Sequence, residues 1–339
     1  MLTRLGDKRL DFLDQIRAVA ILTVIVSHYA PGALPGGGLG VGIFFALSGF
    51  LIATLLLEIP KFDMPSAAIF VSRRFARIFP AYLVALLAGV LLAGLEHKPH
   101  FDRLLAALPG LITFTQMPQW LGFSIGILWT LQVEMLFYVS LPVVMLLLGW
   151  RTGLLAYCTA AILLSLCALG FHLSMISQLR WGAALAFGAL LSLAWKSGAL
   201  ARLPVRPWLL VVIGAAGITA ALPFPSVPLG QWAIQVMVAS LSGCALIAAF
   251  LLQPELPVLP STAFIGRISY SMYLVHGLVI DYLLTPPHSG VLRPAIYFGG
   301  ILVLSALSWR FIERPGIRFG KRLAYTLFWR PAAARAVGG

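Results

Sequence analysis

Residues 10–30 read LDFLDQIRAVAILTVIVSHYA, a segment apolar enough to cross a bilayer that nevertheless carries Asp14, Arg17 and His28. Ionisable side chains at membrane depth usually face a protein interior or a water-filled cavity. On an α-helix, Arg17 and His28 lie within about 20° of the same face and about 16 Å apart along the axis, and Asp14 lies one turn before Arg17. The segment therefore predicts a membrane helix whose polar track begins with a carboxylate and an arginine and ends at an imidazole.

The composition of the whole chain is that of a membrane protein. Of its 339 residues, 60% are hydrophobic and 10% are charged, whereas about a quarter of the residues in a soluble domain are charged. The net charge of +13 comes from basic residues dispersed among short loops, which favours contact with anionic membrane lipids over nucleic acid. We therefore predict an all-α, polytopic membrane helical bundle with no nucleic-acid partner. Residues 1–320 are expected to form a single membrane-embedded domain, followed by a short basic cytoplasmic tail at 321–339.

The cysteines and the loop histidines predict neither a disulfide framework nor a metal site. Cys158, Cys167 and Cys244 all lie inside apolar segments, where cysteine behaves as a small packing residue. The histidines in the loops lack the spacing of metal ligands. Nothing resembles a removable signal peptide, and we expect no attached soluble domain.

Hydropathy predicts ten clear spans and one ambiguous segment, 97–127. Its apolar run, 104–115, is shorter than the ~20 residues that a helix needs to cross a bilayer. If the segment does not cross, 19 basic residues share the side of the two termini and four lie opposite; if it crosses, the division is 9 against 14. The positive-inside rule then favours about ten transmembrane helices, cytoplasmic termini and an external segment at 97–127, for which both a re-entrant course and a plain loop are open. The predicted spans are 10–30, 39–59, 78–95, 128–148, 153–171, 181–195, 207–222, 231–252, 268–285 and 294–312.

Arg74 and Arg77 stand three residues apart and therefore share one side of the third helix, near its predicted cytoplasmic start. Two guanidinium groups on one face suit two-pronged capture of phosphate oxygens, and a helix N-terminus adds its own preference for anions. The pair predicts a cytosolic ligand that carries several phosphates. The alternative is ordinary anchoring of the helix at the membrane surface.

His28 and Glu134 are the candidates for catalysis. An imidazole that is neutral near physiological pH can act as a general base or as a nucleophile; the alternative is a histidine that packs against a neighbouring helix. Glu134 is bordered by apolar residues, so it is not expected to face lipid, and the topology places it in the outer half with His28. It would orient His28 or bind an acceptor hydroxyl; the alternative is a partner for a basic residue such as Arg180.

Four further polar residues in the spans are candidates for binding the substrate. Asp14 lies on the polar face of the first helix, and Ser48 lies in the glycine-rich second span. Tyr273 and His276 belong to a polar stripe on the ninth span, where structural hydrogen bonding and site lining are both open. Glu313 lies among basic residues and is expected to be an ion-pair hub at the cytoplasmic end.

Six stretches together resemble the acyltransferase-3 family of membrane O-acyltransferases, and they cover most of the chain in the order the family shows. They are LDQIRAVAILTVIVSH, GVGIFFALSGFLI at 40–52, RRFARIFPAY at 73–82, WTLQVEMLFY at 129–138, ISYSMYLVH at 268–276 and FIERP at 311–315. Arg17 and His28 match an R-x10-H motif, Arg74 and Arg77 an R-x-x-R motif, and Glu134 the acidic position after the W-T-L stretch. Gln15 and Met135 depart from the family pattern, which usually has glycine in the D-G-L-R context and a second polar residue after the acidic position.

The resemblance implies transfer of an acyl group, usually acetyl, from cytosolic acyl-coenzyme A to a hydroxyl of a cell-envelope or exported polysaccharide. Acetyl-coenzyme A would be the donor, a carbohydrate or glycolipid the acceptor, and no metal would take part. Arg17, Arg74 and Arg77 would bind the donor. For Arg17 the contact would be with the pantetheine arm or the phosphate end of coenzyme A, and the alternative for this residue is an ion pair with Asp14. His28 would take the hydroxyl proton, or would carry the acetyl group itself.

The expected location is the bacterial inner membrane, in contact with its lipids, and the protein would be a stand-alone member without a fused esterase-like domain. The alternative function is a membrane transporter or flippase for an acyl donor or glycolipid, because buried ionisable residues also mark transport pathways.

Overall fold

The computed structural model describes residues 6–30, 37–116, 118, 121–170, 181–222, 229–255, 257–284 and 292–328. Over these ranges the protein is built from helices and has no β-strand. The α-helices are α1 (Gly6–Tyr29), α2 (Gly37–Leu57), α3 (Met64–Leu95), α4 (Phe101–Ile112), α5 (Phe123–Gly126), α6 (Trp129–Leu148), α7 (Trp150–Gly170), α8 (Gly182–Lys196), α9 (Pro207–Ala221), α10 (Leu229–Leu252), α11 (Pro260–Arg267), α12 (Ser269–Leu278), α13 (Leu292–Ser308) and α14 (Arg314–Phe328). Two π-helical segments, Val279–Leu283 and Trp309–Glu313, follow α12 and α13.

Within the described ranges, seven helices are long and apolar enough to cross a membrane, and an eighth span results if Pro260–Arg267 and Ser269–Leu283 count as one broken helix. The helices Gly182–Lys196 and Pro207–Ala221 are apolar but shorter. This confirms the prediction of an all-α protein with several membrane-spanning segments. α4 is not among the candidate spans, since it has only 12 residues.

The chain divides into two compact units, the first formed by residues 1–62 and 139–269. In this unit α2 is buried along almost its whole length and packs against α1, α8 and α10. Glycines allow the closest approaches: Gly49 meets the backbone of Leu185, and Gly188 meets the backbone of Ala46. Small residues at such crossings let helix backbones come together where lipid supplies no hydrophobic drive. The Thr54 and Ser192 hydroxyls, 2.8 Å apart, add a buried hydrogen bond between α2 and α8.

The second unit consists of residues 63–138 and 270–339, and α3 is its main element. Asp63 caps this helix by accepting a hydrogen bond of 3.1 Å from the Ser66 N–H, as is usual for an aspartate at the N-cap. α14 packs against α3 at Ala76, where Gly316 and Gly320 leave room for close contact. α14 also contains the predicted boundary at residue 320; the division into one domain and a tail stays a prediction.

Candidate functional site

The carboxylate and the arginine of α1 form an ion pair. Arg17 Nη1 lies 2.7 Å from Asp14 Oδ1, and both side chains are largely buried. Their spacing of three residues brings them together on one face of the helix. The pairing of Arg17 with Asp14, one of the alternatives that the sequence predicts, is therefore present.

Gln15, between these two residues, fastens α1 to the start of α11. Its Nε2 donates to the Pro257 carbonyl at 3.1 Å, and its Oε1 accepts from the Leu259 N–H at 2.7 Å and from the Thr262 hydroxyl at 2.8 Å. One turn later on α11, Gly266 packs directly on the Asp14 backbone, a contact that leaves no room for a Cβ. Gln15, one of the two residues that depart from the family pattern, thus holds the backbone of the ion pair in place.

His28 lies near the C-terminal end of α1 and is half-buried. A ring N–H donates to the Val24 carbonyl one turn earlier. The first residue of α2, Gly37, lies beside the ring, and a Cβ there would be 3.4 Å from His28 Nε2 and 3.3 Å from Ser27 Oγ. The start of α2 therefore lies against the Nε2 edge of the imidazole.

The R-x-x-R pair lies inside α3 rather than at its start. α3 begins at Met64, so Arg74 is the eleventh residue of the helix, about 15 Å beyond its N-terminus. The prediction that a helix N-terminus reinforces anion binding beside these arginines is therefore wrong: capping by Asp63 starts the helix earlier than hydropathy indicates. Arg74 and Arg77 do share one side of the helix and are both half-buried.

Aromatic rings hold the guanidinium group of Arg74. Its Cζ lies 5.6 Å from the centre of the Phe70 ring and 5.9 Å from that of the Tyr138 ring on α6. Such cation–π contacts fix the plane of a guanidinium group and leave its charge intact.

Tyr138 connects the arginines to the predicted acid. Its hydroxyl donates a hydrogen bond to Glu134 Oε1, and its side chain is close enough to Arg74 and Arg77 to interact with both electrostatically. Glu134, Arg74 and Arg77 therefore belong to one cluster around a buried tyrosine. The sequence places Glu134 in the outer half with His28 and the arginines at the inner surface, and it does not predict this proximity; the approach of Glu134 to His28 stays a prediction.

A second carboxylate belongs to the same unit. Glu313 is buried at the end of the π-helical segment Trp309–Glu313, and its Oε2 accepts a hydrogen bond of 2.9 Å from the Ser271 hydroxyl. Tyr270 interacts electrostatically with Glu313, Glu134 and Arg77, and its hydroxyl donates to the Ile78 carbonyl at 2.7 Å. Tyr138, Tyr270 and Ser271 are not among the residues predicted from the sequence, although all three lie in quoted stretches: Tyr138 ends WTLQVEMLFY, and Tyr270 and Ser271 lie in ISYSMYLVH.

Two of the candidates for substrate binding, Tyr273 and His276, lie on α12 and make hydrogen bonds within the protein. The Tyr273 hydroxyl donates to the Ile127 carbonyl at 2.7 Å and accepts from the Thr130 hydroxyl at 3.0 Å. His276 is fully buried, with its Nδ1 2.6 Å from the Tyr273 carbonyl. These bonds fit the structural alternative for both residues. Ser48 is half-buried on α2, and its role in binding stays a prediction.

Over the ranges given above, no group of three or more His, Cys, Asp and Glu side chains is placed to hold a metal ion. Arg180, the predicted alternative partner of Glu134, lies outside those ranges.

Comparison with known proteins identifies relatives along nearly the whole chain. A family model described as "Acyltransferase domain" matches residues 10–311. The chain is 27% identical, over 94% of its length, to a Staphylococcus aureus (strain COL) protein named "Putative O-acetyltransferase SACOL0978", and the match covers 59% of that protein. It is 26% identical to "O-acetyltransferase OatA" of S. aureus (strain NCTC 8325 / PS 47), over 89% of this chain and 56% of the relative. The chain thus spans less than two thirds of these relatives. No solved structure matches it.

Proposed function

Because the chain belongs to the acyltransferase-3 family, we propose that it is an O-acetyltransferase that moves an acetyl group from acetyl-coenzyme A to a hydroxyl of an envelope or exported polysaccharide. That it is an acyltransferase and an integral membrane protein follows from the family match and its apolar helices. The observation that carries the proposal is the arrangement around Tyr138, which donates a hydrogen bond to Glu134 and interacts electrostatically with Arg74 and Arg77, so that residues of two family motifs meet at one side chain.

We propose ten transmembrane helices with cytoplasmic termini in the bacterial inner membrane. The seven candidate spans, the broken pair and the two shorter apolar helices together make ten. The division of basic residues, 19 against four, supports the orientation. In that orientation Arg74 and Arg77 lie towards the cytosol, where coenzyme A is found.

Arg74 and Arg77 would bind the phosphates of the donor. Guanidinium groups form charge-assisted, often bidentate bonds to phosphate, and the rings of Phe70 and Tyr138 orient Arg74 for this task. Arg17, held by Asp14, would contact the donor as well. Membrane lipids would surround the helices, and no metal is required for the transfer.

His28 would act as the general base. As the acceptor oxygen attacks the thioester carbonyl, its proton passes to the imidazole; the C–O bond forms, the C–S bond breaks, and the proton is returned to the thiolate of coenzyme A. In the covalent alternative, a ring nitrogen of His28 attacks the thioester first, and the C–S bond breaks to release the thiolate of coenzyme A. The hydroxyl then attacks the acetyl-imidazole, the N–C bond breaks, and the hydroxyl proton passes to the thiolate as the free imidazole is restored. Glu134 would orient a reacting group or bind the acceptor, and Asp14, Ser48, Tyr273 and His276 would line the substrate path.

Substitution of the proposed base tests the mechanism. General-base catalysis supplies about 10²–10⁴-fold in rate, so His28→Ala should lose at least about 100-fold in the release of free thiol from acetyl-coenzyme A with acceptor present. The control is His97→Asn, an exposed loop residue with φ of +51° that asparagine tolerates. Near-normal thiol release by His28→Ala would contradict the assignment. Thiol release by the wild-type protein in the same assay would exclude the transporter alternative, since a protein that only moves a solute releases no thiol.

The arginine pair is tested with two donors, acetyl-coenzyme A and acetyl-pantetheine, which lacks the nucleotide phosphates. Loss of a charge-assisted contact should raise KM for acetyl-coenzyme A about 10- to 100-fold in Arg74→Gln and Arg77→Gln. KM for acetyl-pantetheine should not change. Arg73→Gln, an exposed neighbour on the same helix, is the matched control. Equal losses with both donors would mean that the pair does not bind phosphate.

A further inference from the structure

An apolar groove of about 520 Å³ lies on the second unit, between α3, α12 and α13. This volume falls within the range of about 300–1,000 Å³ found for small-molecule sites. The polar groups of the lining are the carboxylate of Glu96 and the hydroxyls of Tyr282 and Ser308, and the other lining side chains are apolar. On the α13 side, Leu304, Leu307 and Phe311 are exposed, so the groove is open to the hydrocarbon of the membrane.

The groove is long and narrow. Along α3 its lining runs from Ala81 to Glu96, a distance of about 22 Å for an α-helix. The hydrocarbon core of a bilayer is about 30 Å thick, so one leaflet contributes about 15 Å, and the groove is long enough for one lipid chain that starts at the membrane surface. Residues from both π-helical segments form part of its wall. π-helical turns are rare in proteins, and those that occur often lie at functional sites.

One end of the groove is charged. Lys98 Nζ lies 3.0 Å from Glu96 Oε2 and 5.5 Å from the centre of the Tyr282 ring, and Asp281 is close enough to interact with it electrostatically. The hydrogen bond to Glu96 raises the pKa of Lys98, so this ammonium stays charged at neutral pH. Asp281 also accepts a hydrogen bond of 2.8 Å from the Ser124 N–H. The end at Glu96 therefore presents the ammonium of Lys98 beside the carboxylate of Glu96, an arrangement that complements a headgroup with both a phosphate and an ammonium.

We propose that this groove binds one acyl chain of phosphatidylethanolamine, with the headgroup phosphate at Lys98 and the headgroup ammonium at Glu96. All membrane lipids offer equally apolar chains, so burial of the chain does not discriminate among them. The headgroup contacts select the lipid. The ion pair between the headgroup ammonium and Glu96 is exposed, and such a pair corresponds to a roughly fivefold preference for phosphatidylethanolamine over a phosphatidylglycerol with the same chains. Binding of this lipid does not depend on the transferase activity.

The test is native mass spectrometry of the purified protein released from nanodiscs that contain equal amounts of the two lipids with identical chains. Wild-type protein should retain phosphatidylethanolamine in roughly fivefold excess, and Glu96→Gln should bring the ratio close to one. Ala88→Phe, which fills the groove, should lose the bound lipid. The matched control, Leu87→Phe, changes the preceding, exposed residue of α3, which does not line the groove, and should retain it. Equal or preferential retention of phosphatidylglycerol by the wild type, or equal lipid retention by the two phenylalanine variants, would overturn the proposal.

A second measurement on the unaltered protein guards against misfolding of Ala88→Phe. Phosphatidylethanolamine with a photoreactive diazirine in its acyl chain is incorporated into the nanodiscs, and the adducts are mapped by peptide mass spectrometry. Adducts should concentrate on the parts of α3, α12 and α13 that line the groove. An even distribution of adducts over the lipid-exposed helices would also overturn the proposal.

Discussion

Replacement of Gly188 by alanine tests the packing of α8 against α2. A Cβ at this position would lie 2.7 Å from the Phe50 nitrogen and 2.8 Å from the Ala46 carbonyl carbon, and closer still to the Ala46 carbonyl oxygen. Ordinary contacts of a Cβ begin at 3.4 Å. The two helices would therefore have to separate locally by about 0.7 Å or more, because backbone atoms cannot turn aside as the end of a flexible side chain can.

The expected cost follows from this displacement. Overpacking of a well-packed interior costs about 1–3 kcal/mol, and a clash with backbone belongs at the upper end, so we expect Gly188→Ala to lose about 3 kcal/mol of unfolding free energy. The assay is denaturant unfolding in detergent micelles, followed by tryptophan fluorescence. The matched control is Gly243→Ala on α10, whose Cβ would meet Ala46 Cβ at 3.4 Å and Ile43 Cα at 3.5 Å. This variant should be neutral or slightly stabilised, since alanine favours a helix by about 0.5–1 kcal/mol over glycine.

The two variants make the reasoning refutable. If Gly188→Ala unfolds at the same denaturant concentration as Gly243→Ala and the wild type, α2 and α8 are not in backbone contact at this crossing. If both variants are strongly destabilised, the effect does not depend on the distances to the neighbouring helix, and the argument from close approach fails equally.

Two other substitutions test hydrogen bonds of the candidate site. Tyr138→Phe removes a donor from Glu134 and should lower the unfolding free energy by about 1–3 kcal/mol, measured by the same unfolding assay; an unchanged value would mean that the hydrogen bond contributes nothing to stability. Gln15→Ala removes three hydrogen bonds to 257–262 and should cost about 1–2 kcal/mol in total for partly exposed bonds. Limited proteolysis should also cut 257–262 faster in this variant, and equal cleavage rates would show that Gln15 does not hold the segment.

The polar track of the first helix could be predicted from sequence because its geometry is local. Residues three apart on a helix meet whatever surrounds them, so the spacing of Asp14 and Arg17 is enough to predict their pairing. The start of α3 could not be found from hydropathy, because residues 64–77 carry three arginines within the helix. Asp63 followed closely by Pro65 is a sequence signal for a helix start. This signal indicates the observed start of α3 at Met64.

The cluster around Tyr138 depends on tertiary packing and is not visible in the sequence. Glu134 and Arg74 are 60 residues apart, and the sequence predicts their depths in the membrane only from their distances to the predicted ends of their own spans. Because α3 extends well beyond the predicted span, that inference fails and the relative depth of α3 and α6 has to be observed. The π-helical segment that ends at Glu313 is also set by packing, since no propensity pattern predicts a π turn.

The hydrogen bonds of Gln15 impose an order on the synthesis of the protein. Its acceptor and donor partners begin 242 residues later in the chain, so a ribosome that adds about 5–20 residues per second takes about 12–50 s to deliver them. During that interval the first helix is already made while the contacts that hold its charged turn do not exist. Nascent chains arrested before residue 257 should therefore carry an incompletely docked first helix.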